Sequence, residues 1–184
     1  MRITTLLLAC ALAGSPLASA DPAVRSSPLD EYARLSEVDT QIIARLHAVN
    51  QRAAELGTFA VQQGTPDVKT YGQTFAADHR AFDDKLVELA HQHGMWTIPE
   101  DDSLTPGAKV ELDSETGKLS KLEGPAFDRE LLPFMAKSDD DELVKFEANI
   151  AMVTDPALES LLEDFRPTLQ KDADDARRLQ RPLH

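Results

Sequence analysis

The chain has 184 residues, 42% of them hydrophobic, which is enough for one domain with its own core. Its 32 acidic residues outnumber 19 basic ones, giving a formal net charge of −13. That balance repels nucleic-acid phosphates and anionic lipid headgroups, so no nucleic-acid partner is expected and the charge reads as a solubilising surface.

The chain opens with MRITTLLLACALAGSPLASADP, a basic residue, an apolar run and then small residues. Ala18-Ser19-Ala20 before Asp21 fits a signal-peptidase site, so residues 1–20 read as a cleavable signal peptide and the protein as periplasmic. A lipoprotein reading through Leu7-Leu8-Ala9 before Cys10 leaves a very short apolar run and is the weaker one. The apolar stretch is too short to be a transmembrane segment of the mature chain. Cys10 is the only cysteine. Once it is removed with the signal peptide, neither an intramolecular disulfide nor a thiolate metal site can form, and stability has to come from packing.

Residues 21–28 read as a flexible N-terminus, and from Leu29 onward apolar residues recur at helical spacing with no sustained strand-like alternation. A first helix is predicted over Leu29–Gln63, closed by Gly64. A second opens with Thr65-Pro66-Asp67, a cap followed by a first-turn proline and an acid, and ends at Gly94. Residues 95–124 are rich in Pro, Asp, Ser and Gly and read as a connection, with a short helix over Ser114–Leu122. A third long helix runs from Pro125 to Val153, and a fourth opens with Thr154-Asp155-Pro156 and runs to Gln180. Pro133 and Pro167 fall inside these two helices and are expected to kink them. The short joints Gly64-Thr65 and Thr154-Asp155 force antiparallel pairs. The long connection lets the chain cross the full height of a bundle, as in ferritin-like folds.

Each long helix carries one apolar stripe when indexed at about 100° per residue. The first reads Leu35, Ile42, Leu46, Val49, Ala53, Leu56, Ala60 and is wholly apolar. The second reads Val68, Gly72, Phe75, His79, Phe82, Leu86, Ala90, His93. The third reads Leu132, Met135, Asp139, Leu143, Phe146, Ile150, Val153, and the fourth Leu158, Leu161, Phe165, Leu169, Asp172, Ala176, Leu179. Three stripes therefore contain an ionisable residue away from their ends, and His79, Asp139 and Asp172 converge if the helices pack in register.

A buried lone charge is costly, so such groups either pair or bind something. Three readings are open. In the first, protonated His79 forms an internal ion pair with Asp139 and Asp172. In the second, His79, Asp139 and Asp172, with Asp78, hold one transition metal ion (Mn, Fe or Zn), a carboxylate-dominated version leaning to Mg or Ca. In the third, the helix phase departs from the ideal and one or more of these side chains faces solvent.

Other candidates carry less. Glu88 and His91 match the Glu-x-x-His spacing of di-iron bundles, but Glu88 lies opposite His79 around its helix. His91 and His93 fall in a last turn, where imidazolium favours the helix dipole. In Ser138-Asp139-Asp140-Asp141-Glu142 only Asp139 follows the stripe. DDSLTPGAKVELD lacks calcium-loop spacing. No phosphate loop or nucleophile–base pair supports hydrolase or kinase chemistry.

The stretch GTPDVKTYGQTFAADHRAFDDKLVELAHQHG resembles the central block of the bacterial family called domain of unknown function 4142, whose members are ferritin-like. Leu56-Gly57, LEGPAFDRELLPFM, Phe146-Glu147 and RPTLQKDADDA extend the resemblance over residues 36–178. The family pattern has an acid where this chain has Ala53. Its first Asp-His is kept as Asp78-His79, its second is Ser138-Asp139 here, and its last-helix histidine is Asp172. The resemblance implies no activity. The expectation is an all-α, ferritin-like four-helix bundle over residues 29–184, two antiparallel hairpins joined by a long crossover, acting as a non-catalytic binding or structural protein. The alternative is a metal-binding protein with a storage or redox role.

Overall fold

A computed structural model of the protein describes residues 34–181 apart from Leu104. The signal region, Cys10, residues 21–28 and the first part of the predicted opening helix lie outside the described residues. The described residues form five helices and no strand: α1 (Glu37–Gln63), α2 (Pro66–Gln92), α3 (Pro106–Leu119), α4 (Gly124–Ile150) and α5 (Pro156–Gln180). None is long and apolar enough to cross a membrane.

The boundaries follow local chemistry. Ser36 caps α1, its Oγ accepting from the Asp39 amide at 3.1 Å, so the helix begins at Glu37 and not near Leu29. Apolar periodicity upstream concealed that stop. Thr105-Pro106 starts α3, which is longer than expected at its N-terminal end; cap-then-proline is the same signal that opens α2. Asp155 caps α5 by accepting from the Ala157 and Leu158 amides, both at 2.9 Å. The α4 and α5 helices both continue through their internal prolines, Pro133 and Pro167. Gly94, with φ of 77°, takes the left-handed turn after α2 that other residues adopt at a cost.

α1 packs along α2 and α4 along α5, while α2 meets α5, α1 meets α4, and α3 rests on α4. The α1–α2 contact is close because Gly57 and Gly72 face each other across it. A Cβ at Gly72 would stand 2.5 Å from the Ala60 Cβ and 2.7 Å from the Gly57 carbonyl oxygen.

Two aspartates tie the hairpins together at their joints. Asp128 of α4 accepts from the Thr65 amide at 3.2 Å and the Thr65 hydroxyl at 2.6 Å. Asp39 of α1 accepts from the Thr154 amide at 2.8 Å and its hydroxyl at 2.5 Å. Each hairpin thus grips the turn of the other. For Asp39 these bonds outweigh the opposing effect of burial and hold its carboxyl below the ordinary range.

The core has two apolar halves. One gathers Ile43, Leu46, Phe82, Leu86, Phe146 and Leu162. The other gathers Ala60, Phe75, Leu119, Phe127, Leu131 and Met135. Burial of this apolar surface is the main stabilising term. Substituting Gly72→Ala is expected to cost about 1–3 kcal/mol in urea unfolding, because the atoms it meets are backbone and Cβ and cannot swing aside. Gly117→Ala, with nothing within 4 Å, should be neutral or stabilising.

Candidate functional site

Between the two apolar halves the four long helices bring Asn50, His79, Asp139 and Asp172 inward, with Glu142 of α4 buried beside them. Asn50 lies between Leu46 and Ala53 on α1, and His79 between Phe75 and Phe82 on α2. Asp139 lies between Ala136 and Phe146 on α4, and Asp172 between Leu169 and Ala176 on α5. His79, Asp139 and Asp172 are only 2%, 5% and 1% exposed, so the helix phase inferred from the stripes holds. Asp78 is half-buried at the margin, near enough to raise the pKa of Asp172 by charge repulsion. Glu88 is exposed and donates nothing to this level.

A chain of hydrogen bonds sets the histidine's chemistry. The Leu46 carbonyl can only accept, so Asn50 turns its Nδ2 toward it, at 2.7 Å. That leaves Asn50 Oδ1 facing His79 Nδ1 at 2.6 Å, and the proton must sit on Nδ1. In the neutral ring Nε2 is then an acceptor. It has no hydrogen-bond partner and stands 3.9 Å from Asp172 Oδ2, beyond hydrogen-bonding distance. Asp139 Oδ2 and both Asp172 carboxylate oxygens are likewise buried without a hydrogen-bond partner, the Lys171 ammonium standing 3.8 Å from Asp172 Oδ1.

Dryness and like charge decide the protonation states. Burial pushes the His79 imidazole down to about 4, so the ring is neutral at pH 7. The protonated His79 of an internal ion pair is therefore not what the core holds. Burial, then the charges of Asp172, Asp140 and Glu142, raises Asp139 to about 8. Burial also raises Asp172 to about 7, with Lys171 opposing and Asp78 and Asp175 reinforcing the shift. Tyr71, whose hydroxyl reaches the Asp172 carbonyl at 3.4 Å, is shifted upward by burial and by both aspartates. The protons of the centre reside on carboxyl groups and not on the imidazole.

A half-open pocket of ≈ 440 Å³ leads to this level. Its apolar walls are Val49, Ala53 and Leu56 of α1, Phe75 of α2, Phe134 and Met135 of α4, and Leu169 of α5. His79 and Asp139 form its buried end, and Arg52, Glu115, Lys137, Glu142 and Lys145 line it as well. Beside it Arg45 clamps Glu142 through two bonds of 3.0 and 2.8 Å, joining α1 to α4. Among the described residues no group of three or more His, Cys, Asp or Glu side chains is placed to hold a metal ion.

Two buried polar residues of this region escaped the sequence reading. Asn50 is four residues after Leu46 and three before Ala53, on the α1 stripe itself, and that spacing was its signal. Glu142 falls off the α4 stripe in an acidic run, yet it is buried against Arg45, and nothing in the run distinguishes it without the partner helix.

A family model with the description "Domain of unknown function (DUF4142)" matches residues 25–179. The chain belongs to this family. No characterised protein and no solved structure gives a significant match.

Two outcomes are expected. In proton–nitrogen correlation NMR, His79 should show the Nδ1–H tautomer at neutral pH, and Asn50→Ala should release it; an Nε2–H tautomer in the parent protein would contradict the bonding described. Stability should also depend on pH through Asp139 and Asp172. Between the ordinary carboxylate value of 3.8 and about 7 to 8, the folded state keeps protons that the unfolded chain has lost, so stability falls as pH rises. His79 works oppositely between about 4 and 6.5, where only the unfolded chain binds its proton. Asp139→Asn removes the larger carboxyl contribution. The stability of the parent relative to this variant should fall by more than about 1.4 kcal/mol, the equivalent of one pKa unit, from about pH 5 to about pH 9. Parallel curves would mean an ordinary Asp139 carboxyl.

Proposed function

We propose that this DUF4142 protein is an exported, ferritin-like four-helix bundle that works by binding and not by catalysis, with Asn50, His79, Asp139 and Asp172 as its polar centre and Asp78 at the margin. Export is supported by the basic, apolar and small-residue succession of residues 1–20 before Asp21. The bundle reading is supported by two helical hairpins, joined by a long connection, whose four long helices each touch two others.

The observation that carries the binding reading is the surplus of acceptors in the core. Four buried oxygen and nitrogen atoms on His79, Asp139 and Asp172 have no hydrogen-bond partner, and the pocket reaches two of these residues. Buried polar groups are ordinarily satisfied, and leaving them bare costs about 1–3 kcal/mol each. A purely structural core has no use for such a level at the end of an accessible pocket. A ligand that brings donors does.

The test is native mass spectrometry and elemental analysis of protein purified from its own cell envelope. The expected polypeptide mass begins at Asp21, and a small organic ligand is expected on the parent protein and absent from Asp139→Asn. Stoichiometric Mn, Fe or Zn lost on His79→Ala would overturn the reading in favour of a metal protein. A mass retaining Cys10 with attached lipid would overturn the cleavage assignment.

A further inference from the structure

The chemistry of the pocket's inner end selects among ligands. Asn50 keeps the His79 proton on Nδ1, so what the ring presents elsewhere is a lone pair. Asp139 presents an unpartnered carboxyl oxygen. An anion finds at most a carboxyl proton there, and it meets the negative field of Asp172, Asp140 and Glu142 that already raises Asp139. A wholly apolar molecule leaves both acceptors dry, at a desolvation cost nothing offsets. An alcohol carries a single O–H and can serve one acceptor only. A primary ammonium carries three N–H donors and a positive charge, so it can serve Asp139 and His79 together, its charge favouring the ionised form of the Asp139 carboxyl. The Phe75 ring, whose centroid is 4.4 Å from that of His79, offers an aromatic face at the same place. Val49, Leu56, Phe134, Met135 and Leu169 make apolar wall behind the head group and Ala53 keeps one side shallow, while Arg52, Lys137 and Lys145 are balanced by Glu115 and Glu142 in the rest of the lining.

We propose that this pocket binds a small primary amine with an apolar body, its ammonium group seated between Asp139 and His79 and its body lying against Leu56 and Phe75. The inference rests on the binding reading of the same centre and adds the ligand's class. The charge at the inner end supplies selectivity for the head group, and the apolar walls supply affinity for the body.

The test is isothermal titration of the mature protein with benzylamine, hexylamine, benzyl alcohol and benzoate as probes. Both amines are expected to bind, with benzyl alcohol and benzoate weaker by about tenfold or more. Asp139→Asn should weaken the amines by a similar factor by removing the countercharge. Ala53→Leu should do so by filling the wall without altering any charge. Circular dichroism melting of each variant establishes that it is folded at the titration temperature. On amine binding, the His79 Nε2 resonance should shift in the parent protein.

Equal binding of benzyl alcohol and benzylamine, both lost in Ala53→Leu, would overturn the amine class while leaving the pocket a binding site. Amine binding that survives both substitutions would overturn the location. Failure of all four probes would overturn the inference, and the ligand carried by the native protein would then judge the broader reading separately.

Discussion

The hydrogen bond of 2.6 Å from His79 Nδ1 to Asn50 Oδ1 governs the chemistry of this core. Its direction is not free. A backbone carbonyl at Leu46 orients the Asn50 amide, the amide orients the imidazole proton, and the proton's position makes the remaining ring nitrogen an acceptor. Around that nitrogen stand two buried carboxyl groups, whose protons are the only donors beside it among the described residues. The centre is thereby committed to accepting hydrogen bonds, from carboxyl protons when empty and from a ligand when filled. Second-sphere control of a histidine tautomer is familiar from metal sites. Here it operates in a cluster where His79 Nε2 stands 3.9 Å from an Asp172 carboxyl oxygen.

Such a level is unfavourable in isolation, and the surrounding structure holds it in place. Apolar packing above and below fixes the height of each helix, so the four polar residues meet although two of them repel. The Asp39–Thr154 and Asp128–Thr65 locks close opposite joints, and the Gly57–Gly72 contact sets the α1–α2 spacing. Between α1 and α4 the contact is looser and is bridged by the Arg45–Glu142 clamp. The pocket opens along this seam. Stiff packing on one side and an open seam on the other is a workable division between stability and access.

At this level α1 offers only the small side chain of Ala53, which leaves a shallow apolar wall in the pocket that reaches His79. The last two long helices contribute Asp139 and Asp172, so carboxyl groups outnumber the one imidazole and the centre favours protons and cationic donors.

Much of this was legible in the residues. The helix count and order, the antiparallel joints and the core positions of His79, Asp139 and Asp172 followed from 3.6-residue periodicity and cap signals, which are local and survive without a partner. The stop at Ser36 and the start of α3 at Pro106 were also written locally, as a capping residue and a cap–proline pair, but stronger apolar patterning and loop-like composition hid them. Asn50 lies on its stripe, but a single amide there is not distinguished by spacing from an ordinary polar residue. Other features depend on atoms far apart in the chain, and no spacing encodes them. They are the neutrality of His79, the direction of its proton, the raised carboxyls, the burial of Glu142 against Arg45, the cross-locks at the joints and the pocket in the α1–α4 seam. Periodicity determines which face of a helix turns inward. Only the packed helices decide which groups share the interior and how dry it is, because desolvation and charge repulsion act over a few ångströms of space and not along the sequence.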